Sequence, residues 1–168
     1  MPLPLRRAAA FGVTYRNLEE SDLPFAGALY ASTRTEELAP TGWTEEVKSA
    51  FLEQQHQAQH RHYQAHYPGA EWLIVEKDGN AVGRIYLQEG ESDIRLIDIA
   101  LLPAYRRAGI GGAMIGDLLE WAGAMGKSIS LHVEPNNPIR PFYLRTGFET
   151  LALNGAYEAM RWRPESGG

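Results

Sequence analysis

One stretch of this chain constrains its fold more than any other. Pro103-Ala104-Tyr105-Arg106-Arg107-Ala108-Gly109-Ile110-Gly111-Gly112 joins two segments of opposite periodicity. Before it, Arg95-Leu-Ile-Asp-Ile-Ala-Leu-Leu102 is a nearly unbroken apolar run, too short for an ordinary helix and bounded by turn residues, which predicts a buried strand. After it, Ala113, Met114, Leu118, Leu119, Ala122 and Met125 recur at helical spacing, and Gly126 closes the pattern as a C′ residue. The ten residues are therefore a strand-to-helix turn. Glycines there let bare N–H groups approach a ligand, and the helix start adds positive dipole, so the turn is built for a phosphate or pyrophosphate. Arg106 and Arg107 add full charges.

The chain is 168 residues long and 44% hydrophobic, enough for one well-cored domain. No apolar run approaches the ~18 residues of a membrane span, and residues 1–12 have no signal-peptide pattern, so they are expected to be a flexible leader. With no cysteine, disulfides, thiolate metal sites and an acyl-cysteine intermediate are ruled out. A net charge of −5 argues against nucleic-acid binding and suits ordinary solubility or a cationic substrate. The expected setting is cytoplasmic.

In chain order, residues 13–17 alternate like a strand, and Ser21-Asp22 with Pro24 opens a helix expected to end near Ser32. A polar loop with Pro40, Gly42 and Trp43 leads to a second helix that starts at Thr44 and runs to Tyr67, with a thin apolar face. His56, His60, His62 and His66 lie on it at i, i+4 spacing, but only Glu53 accompanies them, so no metal is assigned. Strands follow at 72–77 and 81–87 around the hairpin signal Asp78-Gly79. The strand before the glycine turn, its helix and a strand at 128–133 make a parallel crossover. A short helix through Phe142 and Tyr143 ends at Gly147. Two final strands flank Asn154-Gly155, read as a type I′ turn, and 164–168 is a tail.

Which phosphate ligand the turn holds depends on the rest of the chain. The Lys-Ser/Thr end of a P-loop is absent, and Met114 stands where a Rossmann turn needs a small residue. Arg106-x-x-Gly109-x-Gly111 instead resembles the signature of the GNAT superfamily of acyl-CoA-dependent N-acyltransferases. The likeness extends over Trp72 to Trp162: a hairpin, the strand Ile99-Ala100-Leu101, the turn, then Asn136, Tyr143 seven residues later, and Gly147-Phe148. The resemblance implies one α/β domain over 13–163. Its sheet would be mixed, mostly antiparallel and six- to seven-stranded, splayed at one parallel pair, with helices on both faces.

It also implies transfer of an acetyl group from acetyl-CoA to a primary amine within a ternary complex. Backbone N–H groups from Arg107 through Ala108, Gly109, Ile110 and Gly111 to Gly112 would hold the pyrophosphate. The edge of Ile99, Ala100 and Leu101 would pair with the pantetheine arm, Asn136 would position it, and Tyr143 would stand near the sulfur. Tyr143 is the candidate general acid, since a tyrosine hydroxyl stays protonated at neutral pH.

For the base, Asp98, His132, Glu134, Glu36, Glu37 and Glu89 are open, with Glu134 preferred; Arg95 stands where many family members carry a glutamate. Trp43, Tyr30, Arg34, Glu36 and Glu37 could line the acceptor pocket. The acceptor is a small-molecule or peptide amine, and a homodimer is allowed. A catalytically silent acyl-CoA-binding module and a protein lysine or N-terminal acetyltransferase are the alternatives.

Overall fold

The computed structural model describes Leu3 and residues 6–164. After a 3₁₀ turn at Ala8–Phe11 come β1 (Val13–Asn17), α1 (Leu23–Leu38), α2 (Glu45–His66), β2 (Glu71–Lys77), β3 (Asn80–Glu89) and β4 (Asp93–Leu101). The chain continues through α3 (Ile110–Met125), β5 (Ser128–Val133), α4 (Arg140–Arg145), β6 (Glu149–Asn154) and β7 (Tyr157–Trp162). The strands form one sheet in the order β1-β2-β3-β4-β5-β7-β6, antiparallel throughout except for β4 and β5.

The hairpin between β2 and β3 turns through Asp78 and Gly79 at φ 52° and 82°, as its sequence predicts. The last hairpin differs from the predicted turn. Asn154 pairs with Tyr157, so the loop is Gly155-Ala156, and only Gly155 has positive φ (63°). A glycine at the first loop position with no second left-handed residue is the type II′ pattern rather than I′.

Helix α1 runs past Ser32 to Leu38. The hydroxyls of Ser32 and Thr33 donate to the carbonyls of Leu29 and Tyr30 (2.6 and 2.7 Å), so these residues are absorbed into the helix instead of ending it. Helix α2 starts where its cap residue says, with Thr44 Oγ1 accepting from the Val47 N–H at 3.2 Å.

Strand alternation divides the sheet between two helical layers. Ile85, Leu87, Ile94, Leu96, Ile129 and Leu131 pack with Ile110, Met114, Ile115 and Leu118 of α3. On the other face, Tyr63 of α2 meets Trp72 and Tyr86, with ring centroids 6.4 and 6.3 Å apart. The structure thus has helices on both faces of a seven-stranded mixed sheet.

The described part of the leader lies against α3. Asp117, 1% exposed, accepts from the backbone N–H groups of Arg6, Arg7 and Ala8 at 3.3, 2.8 and 3.0 Å. Glycines on α3 leave room for it: a Cβ on Gly116 would stand 2.7 Å from the Arg7 guanidinium. The tail predicted at 164–168 lies outside the described residues except for Pro164. Asp117→Ala is expected to lower stability by about 2 kcal/mol, the scale of lost hydrogen bonds to a charged group. Urea denaturation would measure this, and faster amide exchange confined to Arg7 and Ala8 would locate the loss.

Candidate active site

The site is a fork in the sheet. β4 pairs with β5 only from Asp93 to Arg95 against Ser128 to Ser130. The closed end is pinned by Asp93, whose carboxylate accepts from Ser128 Oγ and Ser130 Oγ, both at 2.6 Å. Just beyond, Tyr86 pairs with Asp98 and Leu87 with Leu96, leaving Ile97 as an extra residue on β4. Such a bulge bends its strand. From Leu96 to Leu101 the β5-facing edge of β4 carries no strand among the described residues, so its backbone groups can pair with an extended ligand. Ile99, Ala100 and Leu101 lie on this stretch.

The glycine turn begins beside the open end of β4. Pro103–Tyr105 form a 3₁₀ turn, Arg107 and Gly109 take left-handed φ of 62° and 89°, and α3 starts at Ile110. No side chain caps this helix, and its first internal bond runs from the Ala113 N–H to the Gly109 carbonyl at 3.0 Å. The N–H groups of Ile110, Gly111 and Gly112 are therefore left for an anion. Gly111 offers open approach, since a Cβ there would meet nothing nearer than Leu101 at 3.8 Å. These features suit a pyrophosphate. Arg106 is engaged within the protein instead. Its Nε donates to the Leu101 carbonyl at 2.9 Å and its Nη2 to Ser32 Oγ at 3.1 Å, bracing the turn to β4 and α1. Arg107 and Ala108 are exposed.

A small cavity of about 60 Å³ opens in the fork, where Asp98, His132, Asn137 and Tyr143 converge among Ile97, Ile99, Leu131 and Val133. Tyr143, on α4, is 3% exposed and packs on Phe148 with centroids 5.1 Å apart. Burial, reinforced by the charge of Asp98, raises its hydroxyl pKa well above the usual tyrosine value. It keeps its proton at neutral pH. His132 lies between the buried Leu131 and Val133 and so points to the opposite face, where Asp98 also points. Partial desolvation and the nearby Arg95 lower the imidazole pKa, favouring its neutral, proton-accepting form. A proton donor thus reaches the fork from the α4 side and a proton acceptor from the α1–α2 side.

Asp98 is held by a residue the sequence reading does not single out. Arg84, 3% exposed on β3, forms an ion pair with Asp98, donates to Gln59 of α2 at 3.0 Å and stands 4.9 Å from the Tyr86 ring. A charge inside the run Ala-Val-Gly-Arg-Ile-Tyr-Leu, one strand from another charge in an apolar run, is the signal that could have found it. Glu134 stands outside the cavity lining, and its carboxylate lies 3.5 Å from Arg34, which also binds Glu37 at 2.8 Å and sits over the Tyr30 ring. Asn136 is exposed; its neighbour Asn137 lines the cavity. Trp43 is 41% exposed and rests edge-on against Phe51. Among the described residues no group of three His, Cys, Asp or Glu side chains could hold a metal, and no helix is long and apolar enough to cross a membrane.

Solved structures share this architecture. PaiA N-acetyltransferase from Thermoplasma acidophilum, in complex with coenzyme A, is 18% identical with a TM-score of 0.67, covering 90% of this chain and 98% of its own. The ribosomal-protein-S18-alanine N-acetyltransferase from Escherichia coli is 18% identical with a TM-score of 0.60, covering 93% and 96%. A spermidine N-acetyltransferase chimera of Vibrio cholerae and hSSAT is 21% identical with a TM-score of 0.58, covering 90% and 95%. No curated protein matches the chain by sequence. The model of the acetyltransferase (GNAT) family matches residues 34–148, which is most of the chain and spans α2, the fork, the glycine turn and Tyr143. The chain belongs to the GNAT acetyltransferase family, with acetyl-CoA as its acyl donor.

Proposed function

We propose that this protein transfers an acetyl group from acetyl-CoA directly to a primary amine in the fork, with Tyr143 as general acid and His132 as general base. The observation that carries the reading is the convergence of a buried tyrosine hydroxyl and a neutral imidazole, from opposite faces, on the gap between β4 and β5. The free β4 edge at Ile99, Ala100 and Leu101 would hold the donor's arm as an added strand would, and the N–H groups of the glycine turn would hold its pyrophosphate. Acetyl-CoA supplies an activated acyl group whose leaving thiolate is a weaker base than an amine.

An amine with pKa near ~10 arrives protonated and must lose a proton before its lone pair can attack. His132 accepts that proton, directly or through water. As the carbon–nitrogen bond forms and the carbon–sulfur bond breaks, the Tyr143 hydroxyl donates toward the departing sulfur, and the second proton that the nitrogen sheds as the amide forms returns through water to Tyr143. Asp98, anchored by Arg84, supplies negative charge on the amine's side of the fork. His132 replaces Glu134 in the base role because Glu134 is bound to Arg34 and does not line the cavity.

Incubation of the protein and acetyl-CoA with a panel of small amines and peptides is expected to release free thiol and acetylate at least one acceptor. Thiol release with label only in macromolecules would redirect the reading to a protein acetyltransferase, and CoA binding without turnover would leave a silent module. Because His132 titrates below the usual histidine value, kcat is expected to hold constant down to about pH 6.5 and to fall below it. His132→Gln should remove that acid limb and lower kcat by about ten- to a hundredfold. An unchanged pH profile in the variant would exclude His132.

A further inference from the structure

A larger cavity lies outside the fork. It opens between α1 and α2, with a volume of about 480 Å³, within the range of small-molecule sites. Its walls are apolar: Leu23, Gly27 and Ala31 from α1 face Leu52 from α2. With no side chain, Gly27 leaves the space between the two helices unfilled. A Cβ there would lie 3.5 Å from His56 Nδ1, and any longer side chain would extend into the gap.

His56 is 6% exposed and is the only described residue of α2 that is buried. Its ring meets Tyr30 and His60, with centroids 5.8 and 6.3 Å apart, but it makes no hydrogen bond among the described residues. The side chain lines the open cavity, so its ring nitrogens are left to bond an entering ligand. Burial and the positive Arg84 push the imidazole down to about 4, and His60 is shifted the same way by the same two causes. Both rings are neutral at physiological pH, so Glu53 is the one formal charge among the lining residues; Arg84 lies outside the lining, with its charge paired to Asp98.

That combination selects a ligand. An ammonium can donate to the His56 nitrogen and set its charge against Glu53, while its carbon skeleton covers the apolar walls. A carboxylate would meet Glu53 as a like charge. We infer that the α1–α2 groove is a second binding site for an apolar-bodied primary amine, separate from the reacting centre. The groove and the fork share no lining residue. The inference does not rest on the catalytic assignments above.

The test is a titration of the full chain with tryptamine, indole-3-propionate and 3-propylindole, followed through the imidazole ¹H–¹⁵N resonances of His56 and His60. Tryptamine is expected to shift both saturably and to bind more tightly than the acid or the neutral analogue. Glu53→Gln, at an exposed position, should weaken it about threefold, as for a solvent-facing ion pair. His56→Leu, read through His60, should weaken it about tenfold or more, and Gly27→Leu should fill the groove and abolish binding. Equal affinity for the three probes would overturn the inference. So would tryptamine binding that leaves both resonances in place. If His56→Leu fails to fold, Glu53→Gln and the probe series decide.

Discussion

Tyr143→Phe is expected to lower kcat by about a hundredfold or more, the scale of a lost proton donor at a leaving group. KM for acetyl-CoA and the dissociation constant of CoA should stay within about twofold, because the hydroxyl's contribution arises only as charge develops on sulfur. Phenylalanine keeps the ring that packs on Phe148 in a position only 3% exposed, so thermal stability should barely change. Tyr143→Ala would be a poor test, since emptying such a site costs about 3–5 kcal/mol and would confuse lost chemistry with lost packing. The structure also excludes one competing source of pH dependence. With burial and Asp98 holding the hydroxyl protonated well beyond the usual tyrosine value, Tyr143 contributes no alkaline limb in the working range. If steady-state kinetics of the phenylalanine variant gave an unchanged kcat, Tyr143 would be a packing residue and the acid would have to be solvent.

What the sequence discloses and what it withholds follow a physical line. The glycine turn, the hairpin at Asp78-Gly79, the Thr44 cap and the end of α3 at Gly126 are local events, written in residues that need a particular φ or a particular hydrogen bond. The length of α1 is not legible because Ser32 and Thr33 can either end a helix or bond back into it, and only packing decides. The last turn sits one residue later than its signal because Asn154 retains its pairing with Tyr157.

Charge pairing between elements is the least legible part. Asp98 stands out in an apolar strand as a carboxylate needing a partner, but Arg84 is its neighbour only once β3 lies against β4 in a fixed register. Glu134 looks available at a strand end until Arg34 of α1 arrives across the fold. Asp117 reads as one acidic residue on a helix, and its three backbone partners lie more than a hundred residues earlier. The same distance effect lies behind proposing His132 rather than Glu134 as the base: alternation along β5 can place His132 on a face, but only the bulge at Ile97 and the end of β4–β5 pairing show that this face opens into the fork.

Gly111→Val is expected to weaken CoA binding by about a hundredfold while leaving the fold intact. The choice of glycine within the turn matters. Gly109 has φ +89°, and a Cβ there would also press on the Phe11 ring at 3.1 Å, so substitution would strain the backbone and disturb the leader. A Cβ on Gly112 would already touch Phe142 at 3.4 Å, so the outer atoms of a valine there would press on α4, which carries Tyr143. Gly111 has neither problem: its φ is not left-handed, and the only neighbour is Leu101 at an ordinary 3.8 Å.

Valine at 111 should even relieve part of the helical cost of glycine, about 0.5 kcal/mol, so the melting temperature should hold or rise by a degree or two. What the branched side chain does instead is stand over the N–H groups of Ile110, Gly111 and Gly112, where the pyrophosphate is proposed to sit. Calorimetric titration with CoA alone reads this directly, without catalysis. Lost binding with an unchanged melting temperature assigns these amides to the cofactor. Full-strength binding would move the pyrophosphate elsewhere, and Arg107, the exposed cation of the same turn, would be the next residue to replace.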